Sequence, residues 1–152
     1  MLLNKKVGVF LNLVHCRFKL YLSLFFQKHG YDITPEQFLV LDALWDFGVQ
    51  SQQEIADKLM KDKNSVTKLI DALEKKGYVK REAYKQDRRQ NLIHITDEGL
   101  SIKEGVTKVA IKATDQIIKE ITKEDMDIFL KVLFKMMDNM KLENEKQYGL
   151  SF

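Results

Sequence analysis

The chain has 152 residues, 45% of them hydrophobic, which suits a single domain with one sizeable core. Its only cysteine, Cys16, excludes an intrachain disulfide and a zinc site built from cysteines, and it fits a reducing cytoplasm. The formal net charge is only +3, but residues 51–96 hold eleven basic and seven acidic side chains, as expected of a surface that faces phosphates.

The N-terminus carries no signal-peptide pattern. Lys5 and Lys6 are not followed by a continuous apolar core with a small-residue cleavage site. The longest apolar stretches, such as 20–26, contain polar residues and fall short of the ~18 residues that cross a bilayer. We therefore expect a soluble protein with no membrane contact.

The first predicted helix runs from Val7 to Phe26, because its apolar residues recur at steps of three and four and Gly30 follows. The second begins at 34–37, with Thr34 as N-cap, Pro35 at the first helical position and Gln37 completing a capping box. It extends to about Phe47 and ends at Gly48. Apolar residues on nearly every side of this second helix predict that it is buried.

A helix-turn-helix with a hairpin is predicted next. Residues 51–54 form a capping box that begins a short helix reaching Leu59. Asp62 is the N-cap of a longer helix whose apolar stripe runs up to Gly77. Residues 78–84 and 90–95 then alternate like two antiparallel strands, and the charged segment between them is expected to project into solvent.

Two further helices are predicted after the hairpin. Thr96 caps a long helix from Asp97 to about Ile121, and Thr122 begins the last one. The last helix has an apolar stripe too long for a small winged domain to cover: Met126, Phe129, Leu130, Leu133, Met136, Met137 and Met140. These elements predict a mainly α fold, a winged helix-turn-helix flanked by long N- and C-terminal helices.

The longer helix of the motif carries candidate DNA contacts on the face opposite its apolar stripe: Lys63, Asn64, Ser65, Thr67 and Lys68. Asn64 and Ser65 suit base edges or phosphates, and Thr67 suits the methyl group of thymine. Lys63 and Lys68 suit phosphates. Polar residues in the first turn of any exposed helix look similar, so this helix alone does not establish a DNA interface.

The hairpin supplies a second, independent indication. Arg88 and Arg89 stand where a structural turn usually has Gly, Asn or Asp, and arginine suits the narrow, electronegative minor groove. Asp87 can hold one of these guanidinium groups in place. Two features aimed at adjacent grooves favour double-stranded DNA as the partner.

Six separated motifs occur here in the order and spacing of a known family. They are Ile33-Thr34-Pro35-Glu36-Gln37-Phe38, Glu54-Ile55-Ala56, Asn64-Ser65-Val66-Thr67, Leu73-Glu74-Lys75-Lys76-Gly77-Tyr78-Val79, Asp87-Arg88-Arg89 and Ile95-Thr96-Asp97-Glu98-Gly99. Over this range the chain resembles the MarR family of bacterial transcription regulators. The flanking helices suit the same plan.

This resemblance implies a homodimer that binds a pseudo-palindromic operator, commonly as a repressor released by a small aromatic or anionic effector. It implies that Val7–Phe26 and Met126–Met140 form the dimer interface, since large apolar stripes would otherwise be exposed. One domain, 1–152, would contain a DNA-binding part, 34–96, and a helical dimerisation part, 1–33 and 97–152. The implied contacts are Asn64, Ser65, Thr67, Lys68 and Arg89, with Asp87 orienting the wing arginine.

Other interpretations stay open beside this one. A subset of the family senses peroxides through a cysteine in the first helix, but Cys16 lies too close to Thr34 for that register, and a buried, inert thiol is favoured. A winged helix can also bind protein instead of DNA. We expect no metal site, because His15, His29 and His94 lack the spacing of zinc ligands. We also expect that the protein is not an enzyme and holds no cofactor.

Overall fold

The computed structural model describes the backbone of residues 2–84 and 91–140, and the side chains of 6–84 and 91–140. The helices are α1 (Leu2–Lys28), α2 (Pro35–Phe47), α3 (Gln52–Lys58), α4 (Lys63–Lys75), α5 (Asp97–Ser101), α6 (Lys103–Ile117) and α7 (Lys123–Asn139). The strands are β1 (Gln50–Ser51), β2 (Val79–Ala83) and β3 (Asn91–Ile95), and they form an antiparallel sheet in the order β1-β3-β2. The predicted mainly α, winged helix-turn-helix architecture is confirmed.

The predicted starts of α2 and α3 are confirmed by their capping hydrogen bonds, whereas α1 begins at Leu2 and not at the predicted Val7. Thr34 Oγ1 accepts from the Gln37 N–H at 3.1 Å, and Gln37 Oε1 accepts from the Thr34 N–H at 3.1 Å. Ser51 and Glu54 form the equivalent box at the start of α3. Each box satisfies backbone donors that a helix leaves unpaired, which explains why these local signals place the helices correctly.

Two features were not predicted. The long helix expected from Asp97 to about Ile121 is two helices, because the chain turns at Ile102 between α5 and α6. Gly99 lies against the carbonyl oxygen of Tyr78, and its own carbonyl accepts from Trp45 Nε1 at 3.2 Å, so tertiary contacts hold α5 as a separate turn. The two-residue strand β1, which pairs with β3, is too short for an alternating pattern to show.

Two apolar clusters form the interior. The head core, between α2, α3, α4 and the sheet, consists of Val40, Leu41, Leu44, Ile55, Ala56, Val66, Ile70, Leu73, Val79 and Ile93. The stem core, between α1 and α6, consists of Leu22, Phe25, Phe26, Ile33, Val106, Val109 and Ala113. Trp45, Tyr78 and Ile102 pack against both clusters and therefore join the helix-turn-helix to the flanking helices.

The terminal helices leave large apolar side chains uncovered. No residue of α7 is buried, and Ile128 and Phe134 are 61% and 55% exposed. Residues 9–14 of α1 are also exposed, whereas its C-terminal part packs in the stem core. The prediction that no segment reaches membrane-spanning length is wrong. By length and composition alone, Lys6–Lys28 could cross a membrane.

Candidate nucleic-acid interface

Helix α4 has one buried face and one exposed face. Val66, Ile70 and Leu73 are fully buried in the head core, at the three- and four-residue steps of a helix. The opposite face exposes Asn64 and Lys68 to solvent. Lys63 is in line with the buried stripe by helical spacing, but it is exposed because it is the first residue of the helix. The structure therefore places Asn64 and Lys68 on one accessible face, with Lys63 accessible at the N-terminal end of α4.

Ser65 differs from these three residues because its side chain serves the helix cap. Its hydroxyl donates to Asp62 Oδ2 at 2.6 Å, and its N–H donates to Asp62 Oδ1 at 2.9 Å. Hydrogen bonds to the ionised carboxylate hold the pKa of Asp62 below its ordinary value. The half-buried Ser65 thus stiffens the start of α4, and its oxygen keeps only acceptor capacity for a further partner.

Thr67 lies at the edge of the exposed face and is held by two hydrogen bonds. Its hydroxyl donates to the Lys63 carbonyl at 2.8 Å and accepts from Gln52 Nε2 at 3.2 Å. The second bond ties the first residue of α3 to α4. A role for Gln52 was not predicted, because its partner stands fifteen positions away and only the helix-turn-helix geometry brings the two together.

Arg81 is a second residue whose role was not predicted. From β2 its guanidinium donates to Asp71 Oδ1 and to Glu74 Oε2, both at 2.6 Å, so that it bridges two carboxylates of α4. Its backbone N–H also donates to Glu74 Oε1 at 3.0 Å. These bonds join α4 to the first strand of the hairpin and partly compensate the two carboxylates beside the lysines of α4.

The hairpin has the predicted antiparallel register. Val79 pairs with Ile95 and Ala83 pairs with Asn91, so residues 84–90 connect two paired strands. Asp87, Arg88 and Arg89 lie outside the described residues, and their role in the wing stays a prediction.

The remaining candidates lie away from α4. Cys16 is exposed in the single chain, with Sγ 3.9 Å from Asn12 Oδ1, so the expectation of a buried thiol is wrong for one protomer. His15 and His29 are exposed and His94 is half-buried, as expected. Within residues 2–84 and 91–140, no three His, Cys, Asp or Glu side chains are grouped to hold a metal ion.

Asp42 is half-buried on α2. Burial raises the pKa of its carboxyl, the nearby Asp46 carboxylate raises it further, and Lys103 of α6 acts in the opposite direction.

Known proteins share both the sequence pattern and the fold. The MarR family pattern matches residues 33–90. The chain is 29% identical over 119 residues to the transcriptional regulator MhqR of Bacillus subtilis, covering 78% of this chain and 81% of MhqR. It is 32% identical over 111 residues to the regulator YsmB of the same organism, covering 73% and 76%.

A solved structure, reduced AbfR bound to DNA, superposes with a TM-score of 0.73 and 25% identity, covering 91% of this chain and 95% of AbfR. Its alignment extends across nearly the whole chain, so the likeness includes the flanking helices as well as the helix-turn-helix. The ordered motifs, the fold and these relatives agree: the chain belongs to the MarR family of DNA-binding transcription regulators.

Proposed function

We propose that this regulator acts in the cytoplasm as a homodimeric repressor that binds a pseudo-palindromic operator and is released by a small aromatic or anionic ligand. Residues 34–96 would contact DNA, whereas 1–33 and 97–152 would hold the two protomers together within one domain, 1–152. The observation that carries the proposal is the exposed surface of α4, where Asn64 and Lys68 lie opposite the buried stripe and Lys63 is exposed at the start of the helix.

The charge of α4 supports DNA as the partner. Lys63, Lys68 and Lys75 are exposed along the helix, and Arg81 partly compensates the carboxylates of Asp71 and Glu74 beside them. Cations at these positions would release counterions from the phosphate backbone. Arg88 and Arg89, oriented by Asp87, would extend the contact into the minor groove.

The uncovered apolar faces support the homodimer. The apolar residues of α7 cover more than about half of its circumference, given 3.6 residues per turn, and none of them is buried within one chain. The exposed part of α1 adds Val9, Phe10, Leu13 and Val14. A second copy would cover both faces, since exposed apolar areas of this extent mark interaction surfaces. The same pairing accounts for the membrane-like composition of Lys6–Lys28.

Duplex DNA from upstream of the protein's own gene provides the test, with binding measured by fluorescence anisotropy at several salt concentrations. We expect the logarithm of the affinity to fall linearly with the logarithm of salt, and Arg89→Ala to weaken binding and lower the slope by about one. Lys131→Ala, on α7, is the control and leaves both unchanged. A stable dimer that ignores DNA of every sequence would contradict the proposal and favour a protein-binding role.

A thiol switch is a second candidate, because Cys16 is exposed on α1 next to the apolar residues proposed for the interface. Oxidation of the thiol to a sulfenic acid or a higher oxide would add polar atoms to this surface. It would weaken dimer formation or change the relative position of the two DNA-binding parts. Peroxide treatment followed by mass spectrometry and DNA titration checks this. We expect oxidised protein to lose affinity and Cys16→Ser to be insensitive; equal affinity before and after oxidation excludes the switch.

A further inference from the structure

The hydrogen bonds of Thr67 restrict what this side chain can read. A hydroxyl has one proton, and in Thr67 that proton is directed to the Lys63 carbonyl oxygen at 2.8 Å. The Thr67 hydroxyl oxygen in turn accepts a hydrogen bond from Gln52 Nε2 at 3.2 Å. Thr67 is therefore unable to donate to guanine O6 or N7, adenine N7 or thymine O4 without breaking a bond that it makes in the free protein.

The methyl group of Thr67 is the part of the side chain that makes no hydrogen bond, so an apolar contact is the interaction that it can offer to DNA. The residue is half-buried, at the edge between the buried stripe and the exposed face of α4. Its neighbour one turn earlier, Asn64, is exposed and has no side-chain partner among residues 2–84 and 91–140. The two positions thus offer different chemistry to the groove, with a polar amide at one and an apolar group at the other.

We propose that Thr67 is a specificity residue that recognises the C5-methyl group of a thymine in the major groove through its own methyl group, while its hydroxyl is engaged by Lys63 and Gln52. This inference rests on the proposed function, since it needs α4 in the major groove. Only thymine presents a methyl group there, so an apolar contact distinguishes it from the other unmodified bases. Asn64, three residues earlier, would supply hydrogen bonds to a neighbouring base pair.

Replacing thymine by deoxyuracil tests the contact, because uracil lacks only the C5-methyl group. The operator is first obtained by selection from random duplexes, and each thymine is then replaced singly and in symmetric pairs. For the wild-type protein we expect one thymine per half-site whose replacement weakens binding about fourfold, the value of one buried methyl group. Replacing both symmetric thymines should weaken binding about 15-fold.

Two variants separate the methyl group from the hydroxyl. Thr67→Ser keeps the hydroxyl and removes the methyl group, so we expect thymine and deoxyuracil operators to bind it equally. Thr67→Val keeps a methyl group and removes the hydroxyl, so we expect the discrimination to persist. Thr114→Val is the matched control, because the Thr114 hydroxyl makes the same bond to the carbonyl four residues earlier, at 3.0 Å, but lies in α6.

The outcomes distinguish the two proposals. Loss of discrimination in Thr67→Ser together with its retention in Thr67→Val supports the inference. DNA binding with discrimination unchanged in Thr67→Ser, or lost in Thr67→Val alone, overturns it and leaves the DNA-binding function intact. Failure of the wild-type protein to bind any duplex overturns both. Circular dichroism checks that each variant is folded, and Thr67→Ser alone decides the matter if Thr67→Val is not.

Discussion

The head and the terminal helices of this protein differ in how much of their apolar surface is covered within one chain. In the head, α2, α3, α4 and the sheet enclose a core that one chain completes, and every helix start is capped. In α7 no residue is buried, although most of its side chains are apolar. The same chain thus contains one part whose apolar core is covered within the chain and one part, α7, whose apolar side chains are left exposed.

This difference follows from where charge stands in each region. On α4 the exposed face is polar and basic, so it is well hydrated in the free protein and DNA can displace that water. On α7, beyond its first turn, the charged side chains Asp127, Lys131, Lys135 and Asp138 lie along one narrow face. An apolar surface of that breadth is stable in water only when it is covered. Substitutions in the two regions should therefore change different properties.

The largest effect is expected from charge on the apolar face of α7. In the double variant Phe129→Glu with Leu133→Glu, two carboxylates would lose water on assembly, which costs several kcal/mol. We expect the dimer Kd to rise at least about 100-fold and DNA affinity to fall with it. Analytical ultracentrifugation measures the first quantity and anisotropy the second.

Lys131→Glu is the control for this variant, because it lies on the polar face of the same helix and changes the net charge by the same amount. It should remain dimeric. A double variant that stays dimeric at nanomolar concentration would exclude this face of α7 from the interface.

The next largest effect is expected at Gly99, where Tyr78 and Trp45 contact α5 and so connect the head to the helices that follow it. A Cβ atom there would lie 2.1 Å from the Tyr78 carbonyl oxygen, a backbone atom that a side-chain rotation cannot move. We expect Gly99→Ala to lower the free energy of unfolding by about 2–3 kcal/mol, measured by urea denaturation at one protein concentration.

Gly105→Ala is the matched comparison. The added Cβ would meet the hydroxyl oxygen of Tyr31 at 1.9 Å, but this is the far end of a side chain that can swing away. The better helix propensity of alanine, worth up to ~1 kcal/mol, offsets part of that cost. Equal losses in the two variants would contradict the distinction between backbone and side-chain obstruction.

Local signals made the helix starts predictable from sequence. Thr34 with Gln37, and Ser51 with Glu54, interact over three residues, so their spacing in the chain is already their spacing in space. The break at Ile102 was missed because its cause is not local: Trp45 and Tyr78 reach Gly99 from distant positions. The apolar pattern continued through the break and indicated one helix where there are two.

The candidate site was predicted in part for the same reason. Asn64 and Lys68 are four residues apart, so helical periodicity alone places them on one face of α4. Arg81 and Gln52 contact α4 from other elements, and no pattern within the chain links them to it. Exposure of Cys16 was not predicted, because an amphipathic pattern does not specify which part of a long helix the rest of the chain covers.

An intermediate effect is expected where the hairpin meets α4. Arg81→Met keeps the apolar stem and removes the guanidinium, which leaves the carboxylates of Asp71 and Glu74 uncompensated near the phosphates. We expect DNA affinity to fall about tenfold at low salt and less at high salt, because screening weakens the repulsion. Stability should change by no more than about 1 kcal/mol, as these groups are partly exposed.

Adding Asp71→Asn and Glu74→Gln to Arg81→Met should recover most of the lost affinity, since the triple variant carries no free carboxylate at these positions. Persistent weak binding in the triple variant would show that Arg81 contacts DNA itself.

The smallest effect concerns Asp42, which lies on α2 where the head meets α6. Burial, reinforced by Asp46, places the pKa of the folded carboxyl above its ordinary value of 3.8. The folded protein therefore binds this proton more tightly than the unfolded chain, and the ionised carboxyl lowers stability as pH rises above 3.8 and through the folded pKa. At neutral pH, Asp42→Asn should raise the free energy of unfolding by about 0.5 kcal/mol.

The pH dependence identifies the cause of this gain. It should shrink as pH falls towards 3.8, because the wild-type carboxyl then becomes neutral as well. Asp46→Asn should lower the pKa of Asp42 and Lys103→Met should raise it, both measured by carbon NMR of the carboxyl group. If the stability gain of Asp42→Asn did not depend on pH, its cause would be the packing of the asparagine and not the loss of the carboxyl charge. An effect of Lys103 would show that α6 stabilises the ionised form of a residue in the head, so that the two regions are coupled through charge as well as through Trp45.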